Sequence, residues 1–241
     1  MSQSLLIITG HSQGIGRAVL EYYLAQENFQ ILAISRTEID IESPNLKQFC
    51  IDLSDLDVLE NQLNNIFPDG DFEKIILFNN AGWIGVIKPI GKLGPKEMRI
   101  QTNVNLLGPM YLTNAFIHQY KNSRAEKIVC NVSSGAASRP VSGWSGYCST
   151  KAALSMFTMV AAEENKSDNF HFFSLAPGIV DTGMQDEIRS SNDSDFPELQ
   201  KFKEFKEEGK LSSPAEVAEK IAYLFENPNL FEDVIQDVRN F

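Results

Sequence analysis

The sequence predicts a doubly wound α/β fold, one domain built on a parallel sheet of about seven strands with helices on both faces. Three observations lead there. Short apolar runs alternate with amphipathic stretches along the chain, the pattern of strands buried on both faces and covered by helices. A glycine-rich turn joins the first apolar run to the first amphipathic one. No Pro/Gly/Ser-rich linker, internal repeat or low-complexity segment divides residues 1–241.

The elements follow in order. Residues 4–9 (SLLIIT) make a strand, and 14–27 the first helix. Strands at 30–35 and 47–51 precede a helix at 55–66, and a fourth strand lies at 74–78. A helix at 102–120 leads to a strand at 126–132, and a helix at 147–164 to a strand at 170–176. Ser213 and Pro214 give a clean start to the helix 214–226. A short last strand is placed near 232–236.

Two helices are apolar nearly all round, at 104–117 (VNLLGPMYLTNAFI) and 152–162 (AALSMFTMVAA). Such helices are buried on more than one side. The sheet takes one side. A second subunit or a loop of the same chain covers the other. The first option predicts a homodimer or homotetramer through helices at about 102–120 and 147–164. The segment 183–213 is polar, with Met184, Ile188, Phe196, Leu199, Phe202 and Phe205 set among charges. It fits a mobile lid over a pocket or a surface pair of short helices.

Composition bounds the function. A chain of 241 residues with 43% hydrophobic and 22% charged residues has a sizeable core. A net charge of −11 argues against nucleic acid and anionic membranes as partners. Cys50, Cys130 and Cys148 are odd in number and widely spaced, so no disulfide framework is expected. His11, His118 and His171 show no metal-ligand spacing, and no metal site is expected. No run approaches the length of a membrane span. The N-terminus lacks a basic region before a long apolar stretch. A reducing, cytoplasmic setting fits these features.

The motifs point to a nucleotide at one end. Thr9-Gly10-His11-Ser12-Gln13-Gly14-Ile15-Gly16 follows the first strand and opens the first helix. Glycines there let the backbone turn tightly and approach a pyrophosphate at the helix N-terminus. Arg36 lies twenty residues beyond Gly16, just after the second strand. A cation at that place suits the 2′-phosphate of NADP, with Glu38 as the complication. Asp52 either accepts a hydrogen bond from an adenine amine or caps the helix beginning near Asp55. Asn79-Asn80-Ala81-Gly82 ends the fourth strand, where small residues and amides suit a close meeting of backbone and cofactor, or a plain turn. Tyr147 and Lys151 stand four apart on a helix and share a face. A nearby ammonium favours the phenolate and pulls a phenol pKa of about 10 downward.

TGHSQGIG, Asp52, NNAG, an Asn in 102–106, VSS, YCSTK and PGIVDT together resemble the short-chain dehydrogenase/reductase family, over Leu5 to about Phe225. The resemblance implies a Rossmann-type fold, with a nucleotide-binding half at about 1–100 and a catalytic and substrate-binding half at about 101–241. It implies that Tyr147 is the general acid of carbonyl reduction. Lys151 holds the nicotinamide ribose and lowers the Tyr147 pKa. Ser134, preferred over Ser133 by its spacing from Tyr147, orients the carbonyl. Asn105, preferred over Asn103, bends its helix and holds a water in the proton relay. Gly10, Ser12, Gln13, Gly14, Ile15, Gly16, Arg36, Asp52, Asn80, Ala81, Gly82, Pro177, Gly178, Val180 and Thr182 join Tyr147 and Lys151 around the cofactor, NADP(H). Gln13 departs from the basic residue that many NADP-dependent members carry there.

The stretches 143–151, 176–185 and 206–214 are similar to the benzil reductase and sepiapterin reductase branch, which implies a small-molecule dicarbonyl substrate. In that branch Asp237 would correspond to an acid that anchors a pterin. Trp83, Ile84, Trp144 and Met184 are candidates for the walls of a flat, apolar pocket. Rival readings are a 3-oxoacyl-carrier-protein reductase and a non-catalytic NADP-binding regulator.

Overall fold

A computed structural model describes residues 3–166 and 169–241. Seven parallel strands form one sheet in the order β3-β2-β1-β4-β5-β6-β7. They are β1 (Gln3–Thr9), β2 (Phe29–Ser35), β3 (Leu46–Cys50), β4 (Phe72–Asn79), β5 (Glu126–Val132), β6 (Phe170–Ala176) and β7 (Ile235–Asp237). Helices α1 (Gly14–Leu24) and α8 (Pro214–Glu226) cover one face. Helices α2 (Leu56–Ile66), α4 (Gly108–Tyr120) and α5 (Ser145–Glu164) cover the other.

Side-chain alternation builds both layers from the same strands. In β1, Leu6 and Ile8 join the α1/α8 layer, while Leu5 and Ile7 join the opposite one. In β4, Ile76 and Phe78 pair with the first set, Ile75 and Leu77 with the second. All eight side chains are buried. At α8 a capping box forms: Ser213 Oγ accepts from Glu216 N (3.2 Å), and Glu216 Oε2 accepts from Ser213 N (2.8 Å). A cap of this kind contributes about 1 kcal/mol.

Two expectations change, and a third is made specific. The helix read as 102–120 begins earlier, as α3 (Pro95–Thr102), and continues through one π-helical stretch, Asn103–Leu107, into α4. Residues 95–102 (PKEMRIQT) are mostly polar, so an apolar pattern did not show where the helix starts. The last strand spans Ile235–Asp237, later than 232–236. Segment 183–213 holds α6 (Gly183–Arg189) and α7 (Leu199–Glu207). Ile188, Phe196, Leu199 and Phe202 are buried there with Ile84, Trp144 and Tyr147 in a third apolar cluster, so the pair of short helices turns its apolar residues inward.

Candidate active site

The strand order reverses direction between β1 and β4, and ligands bind beyond the carboxyl ends of strands at such a point. A cleft of about 950 Å³ opens there. It runs from Arg36 and Thr37, after β2, to Trp144, Phe202 and Phe205 beneath α7.

At one end the first turn and the end of β4 lock together. Thr9 Oγ1 accepts from the N–H groups of Asn80 and Ala81, both at 3.0 Å. Asn80 Nδ2 donates to the carbonyls of Thr9 and Gly10, both at 3.1 Å. Gly10 has φ +71°, and a Cβ there would stand 2.8 Å from Ala81 Cα. A Cβ on Gly16 would lie 2.2 Å from the Gly10 carbonyl oxygen. Gln13, at the α1 N-cap, makes no side-chain capping bond, so the first N–H groups of α1 face the cleft without a side-chain acceptor. This glycine cradle on a helix N-terminus fits a dinucleotide pyrophosphate. Gly14 faces Thr182 across it, with 3.1 Å from an added Cβ to Thr182 Cγ2.

At the other end stand the hydroxyls. Tyr147 lies in the first turns of α5 and is buried, its ring edge-on to Trp144 with centroids 5.7 Å apart. Trp144 in turn stacks on Phe196 at 5.3 Å. Lys151 Nζ donates to Val132 O at 2.7 Å and sits 5.7 Å from the Tyr147 ring centre. Burial pushes the phenol up to about 12, opposed by the Ser134 hydroxyl. Burial also pulls the Lys151 amine down to about 8. Tyr147 Oη reaches Met184 Sδ at 3.9 Å. Ser134 borders the cleft and accepts from Ala136 N at 3.2 Å. Ser133 borders the cleft as well, but its Oγ is tied to α5, 2.7 Å from Ser155 Oγ.

Buried polar contacts hold this end in place. Asn79 Nδ2 donates to Asn131 Oδ1 (2.8 Å), and Asn131 Nδ2 donates to Thr158 Oγ1 (2.9 Å), joining β4, β5 and α5. Asn105, within the π-helical stretch, accepts from Trp83 N and donates to Trp83 O, each at 2.8 Å.

The family described as short chain dehydrogenase matches residues 4–193. The chain belongs to the short-chain dehydrogenase/reductase family. It is 39% identical over 233 residues to benzil reductase ((S)-benzoin forming) of Bacillus cereus, covering 92% of this chain and 93% of the relative. Bovine sepiapterin reductase is 29% identical over 247 residues, covering 94% and 91%. A short-chain dehydrogenase/reductase structure from Saccharomyces cerevisiae superimposes with a TM-score of 0.83 at 23% identity, covering 98% and 96%. A 4-hydroxyisoleucine dehydrogenase complexed with NADH gives 0.72 at 25% identity, covering 98% and 97%. The chain is thus an oxidoreductase of this family with a nicotinamide cofactor.

Within this short-chain dehydrogenase/reductase, most residues named from the sequence border one cleft. These are Gly10, Ser12, Gln13, Gly14, Ile15, Arg36, Asp52, Asn80, Ala81, Gly82, Trp83, Ser134, Trp144, Tyr147, Lys151, Pro177, Gly178, Val180, Thr182 and Met184. Gly16 and Asn105 do not border it. Gly16 is required where α1 packs on the turn, and Asn105 sits fully buried behind Gly82 and Trp83. Asp52 Oδ1 accepts from Ser54 N, and Asp55 caps α2.

Two further expectations are corrected. Burial, the largest cause, holds the Tyr147 phenol above its ordinary value, and the lowering contribution comes from the Ser134 hydroxyl rather than from Lys151. Asp237 is held by Arg239 (Nε to Oδ1, 2.8 Å), and Arg239, not Asp237, borders the cleft. Ile84, named with Trp83 after the NNAG motif, also borders the cleft, whereas sequence reasoning missed Arg139 and Lys201 as lining residues. It also missed Gln101, whose Nε2 donates to Ile84 O at 2.5 Å. Gly146 makes room for that amide, since a Cβ there would stand 2.1 Å from Gln101 Oε1.

Proposed function

We propose that the protein is an NADPH-dependent carbonyl reductase that converts one carbonyl of an aryl dicarbonyl to a hydroxyl. The observation that carries this reading is the meeting of Tyr147, Ser134 and Lys151 where a dinucleotide groove runs into an aromatic chamber. When bound, the nicotinamide supplies the hydride. Tyr147 protonates the substrate oxygen; a phenol pushed up to about 12 holds its proton at neutral pH, the state a donor needs. Ser134 donates to the same oxygen and stabilises charge building on it. Lys151 holds the ribose hydroxyls with its ammonium. Asn105 fixes the backbone of Trp83, and with it one wall of the chamber.

Preference for NADPH is supported by Arg36. Its side chain is exposed at the end of the cleft and makes no hydrogen bond or ion pair among the described residues. Thr37 borders the cleft beside it, whereas Glu38 does not. Trp83, Trp144, Phe202 and Met184 suit flat aryl groups. The family includes benzil reductases as relatives of this chain. Arg139 and Lys201 border the cleft but are drawn to Glu198, at 3.8 and 3.4 Å. Glu198 thus offsets part of their charge, which makes this rim less suited to an acidic carrier protein. The exposed Met156, Met159 and Val160 of α5 support self-association on that helix.

NADPH oxidation with equal concentrations of aryl diketones, pterins and 3-oxoacyl thioesters tests the reading. The diketones should react fastest. Turnover confined to thioesters would overturn the substrate class, and no turnover with any of them would favour a regulator.

A further inference from the structure

The loop that carries Arg36 is held from several sides. Ser35 Oγ donates to Thr37 O at 2.5 Å, and Cys50 Sγ donates to Arg36 O at 3.1 Å. The Gln48 amide meets both backbone groups of Ile39. Its Oε1 accepts from Ile39 N, and its Nε2 donates to Ile39 O, each at 2.9 Å. Gln48 and Cys50 are two apart on β3, and so share one face of that edge strand.

A further contact comes from across the sheet. His11 Nε2 lies 2.9 Å from the same Gln48 Oε1. The Ile39 backbone fixes which end of the Gln48 amide is the oxygen, so His11 Nε2 carries the proton and donates. His11 Nδ1 is left as a lone pair with no partner among the described residues, in a ring that is 0% exposed. Burying an unsatisfied nitrogen is unfavourable, so the ring's one bond is its polar tie to the fold. His11 follows Gly10 in the phosphate turn. The chain Gly10–His11–Gln48–Ile39 therefore connects the turn that would cradle the pyrophosphate to the loop that presents Arg36.

We propose that His11 and Gln48 are positioning residues that hold Arg36 at a fixed distance from the glycine turn, and that this clamp sets the preference for NADPH over NADH. The proposal rests on Arg36 as the ligand of the 2′-phosphate. Neither His11 nor Gln48 borders the cleft, so neither touches the cofactor. The pyrophosphate and the 2′-phosphate of one NADPH are separated by a short tether, and the elements that read them need a matching separation. A loop already held there loses less freedom on binding than a loose one.

Six proteins decide the matter: wild type, Gln48→Met, Arg36→Ala, the double variant of these two, His11→Gln and His11→Leu. Each is assayed with NADPH and NADH against one saturating diketone, with melting temperatures measured alongside. Gln48 is half-buried on an edge strand, and Met keeps its length, so the variant is expected to fold. Gln48→Met should raise KM for NADPH about tenfold, the scale of re-ordering a long side chain and its loop. Its kcat, and its KM for NADH, should not change. In the Arg36→Ala background Gln48→Met should add nothing. His11→Gln, which keeps a donor, should retain the preference, and His11→Leu should lose it. A Gln48→Met protein with wild-type preference overturns the proposal. So does an equal loss with both cofactors, or a further NADPH loss in the Arg36→Ala background. Equal use of NADPH and NADH by wild type overturns the reading of Arg36, and the clamp's role in preference with it.

Discussion

Replacing Tyr147 with Phe removes one oxygen from the chamber. The ring remains in place, because its edge contact with Trp144 (5.7 Å) and the Lys151 ammonium over its face (5.7 Å) do not need the hydroxyl. The lost polar contacts are a long one to Met184 Sδ at 3.9 Å and the interaction with Ser134. Stability should therefore change by no more than about 1 kcal/mol, the net worth of an ordinary hydrogen bond. Catalysis should change far more. A positioned general acid contributes roughly 10²–10⁴-fold, or about 3–5 kcal/mol of barrier. The assay follows the near-ultraviolet absorbance of NADPH with benzil, beside fluorescence titration of NADPH binding. The expected result is a fall in kcat/KM of at least about a hundredfold, with cofactor affinity and melting temperature close to wild type. A Tyr147→Phe variant that reduces benzil within a few-fold of wild type would refute the role of the phenol.

Other predictions follow from the same geometry. Lys151 titrates at about 8 when folded against 10.5 when free, so the unfolded chain binds more protons between those values. Its contribution to stability thus rises with pH across that window. Compared with Lys151→Met, wild type should gain stability from pH 8 to 9, and equal slopes in denaturant titrations would contradict the shift. Because the ammonium is the form that holds the ribose, kcat/KM for NADPH should fall as pH rises through about 8. Arg36→Asp should reverse the ratio of kcat/KM for NADPH and NADH, and an unchanged ratio would show that Arg36 does not read the phosphate. Gly16→Ala should cost about 1–3 kcal/mol by overpacking and weaken NADPH binding, since its Cβ would meet the Gly10 carbonyl at 2.2 Å; calorimetry and titration report the two effects.

Much of this was legible because each layer of the fold leaves a periodic trace. β1 reads as an apolar run because alternate residues enter two different cores. The carboxyl ends of the strands bring Gly10, Asn80, Ser134 and Pro177 to one edge, so motifs scattered along the chain meet in one cleft. What was not legible depended on contacts between distant side chains. The resemblance implied a bend at Asn105, but nothing in the local sequence shows that the bend is a π-helical stretch, Asn103–Leu107, where α3 and α4 run together. The packing of Phe196 and Phe202 on Trp144 could not be read from a polar segment whose apolar residues are few and widely set. The pKa of Tyr147 moved opposite to expectation because spacing gives the position of a charge and not the depth of burial. Asp237 looked like a ligand until Arg239, two residues later, proved to hold it.

The most direct test of the central claim is the stoichiometry and product of wild-type turnover with benzil. The account predicts that about one NADPH is consumed for each benzil supplied, with benzoin as the product, because two electrons reduce one carbonyl. NADPH that binds tightly yet is not oxidised by benzil or any other dicarbonyl would contradict it.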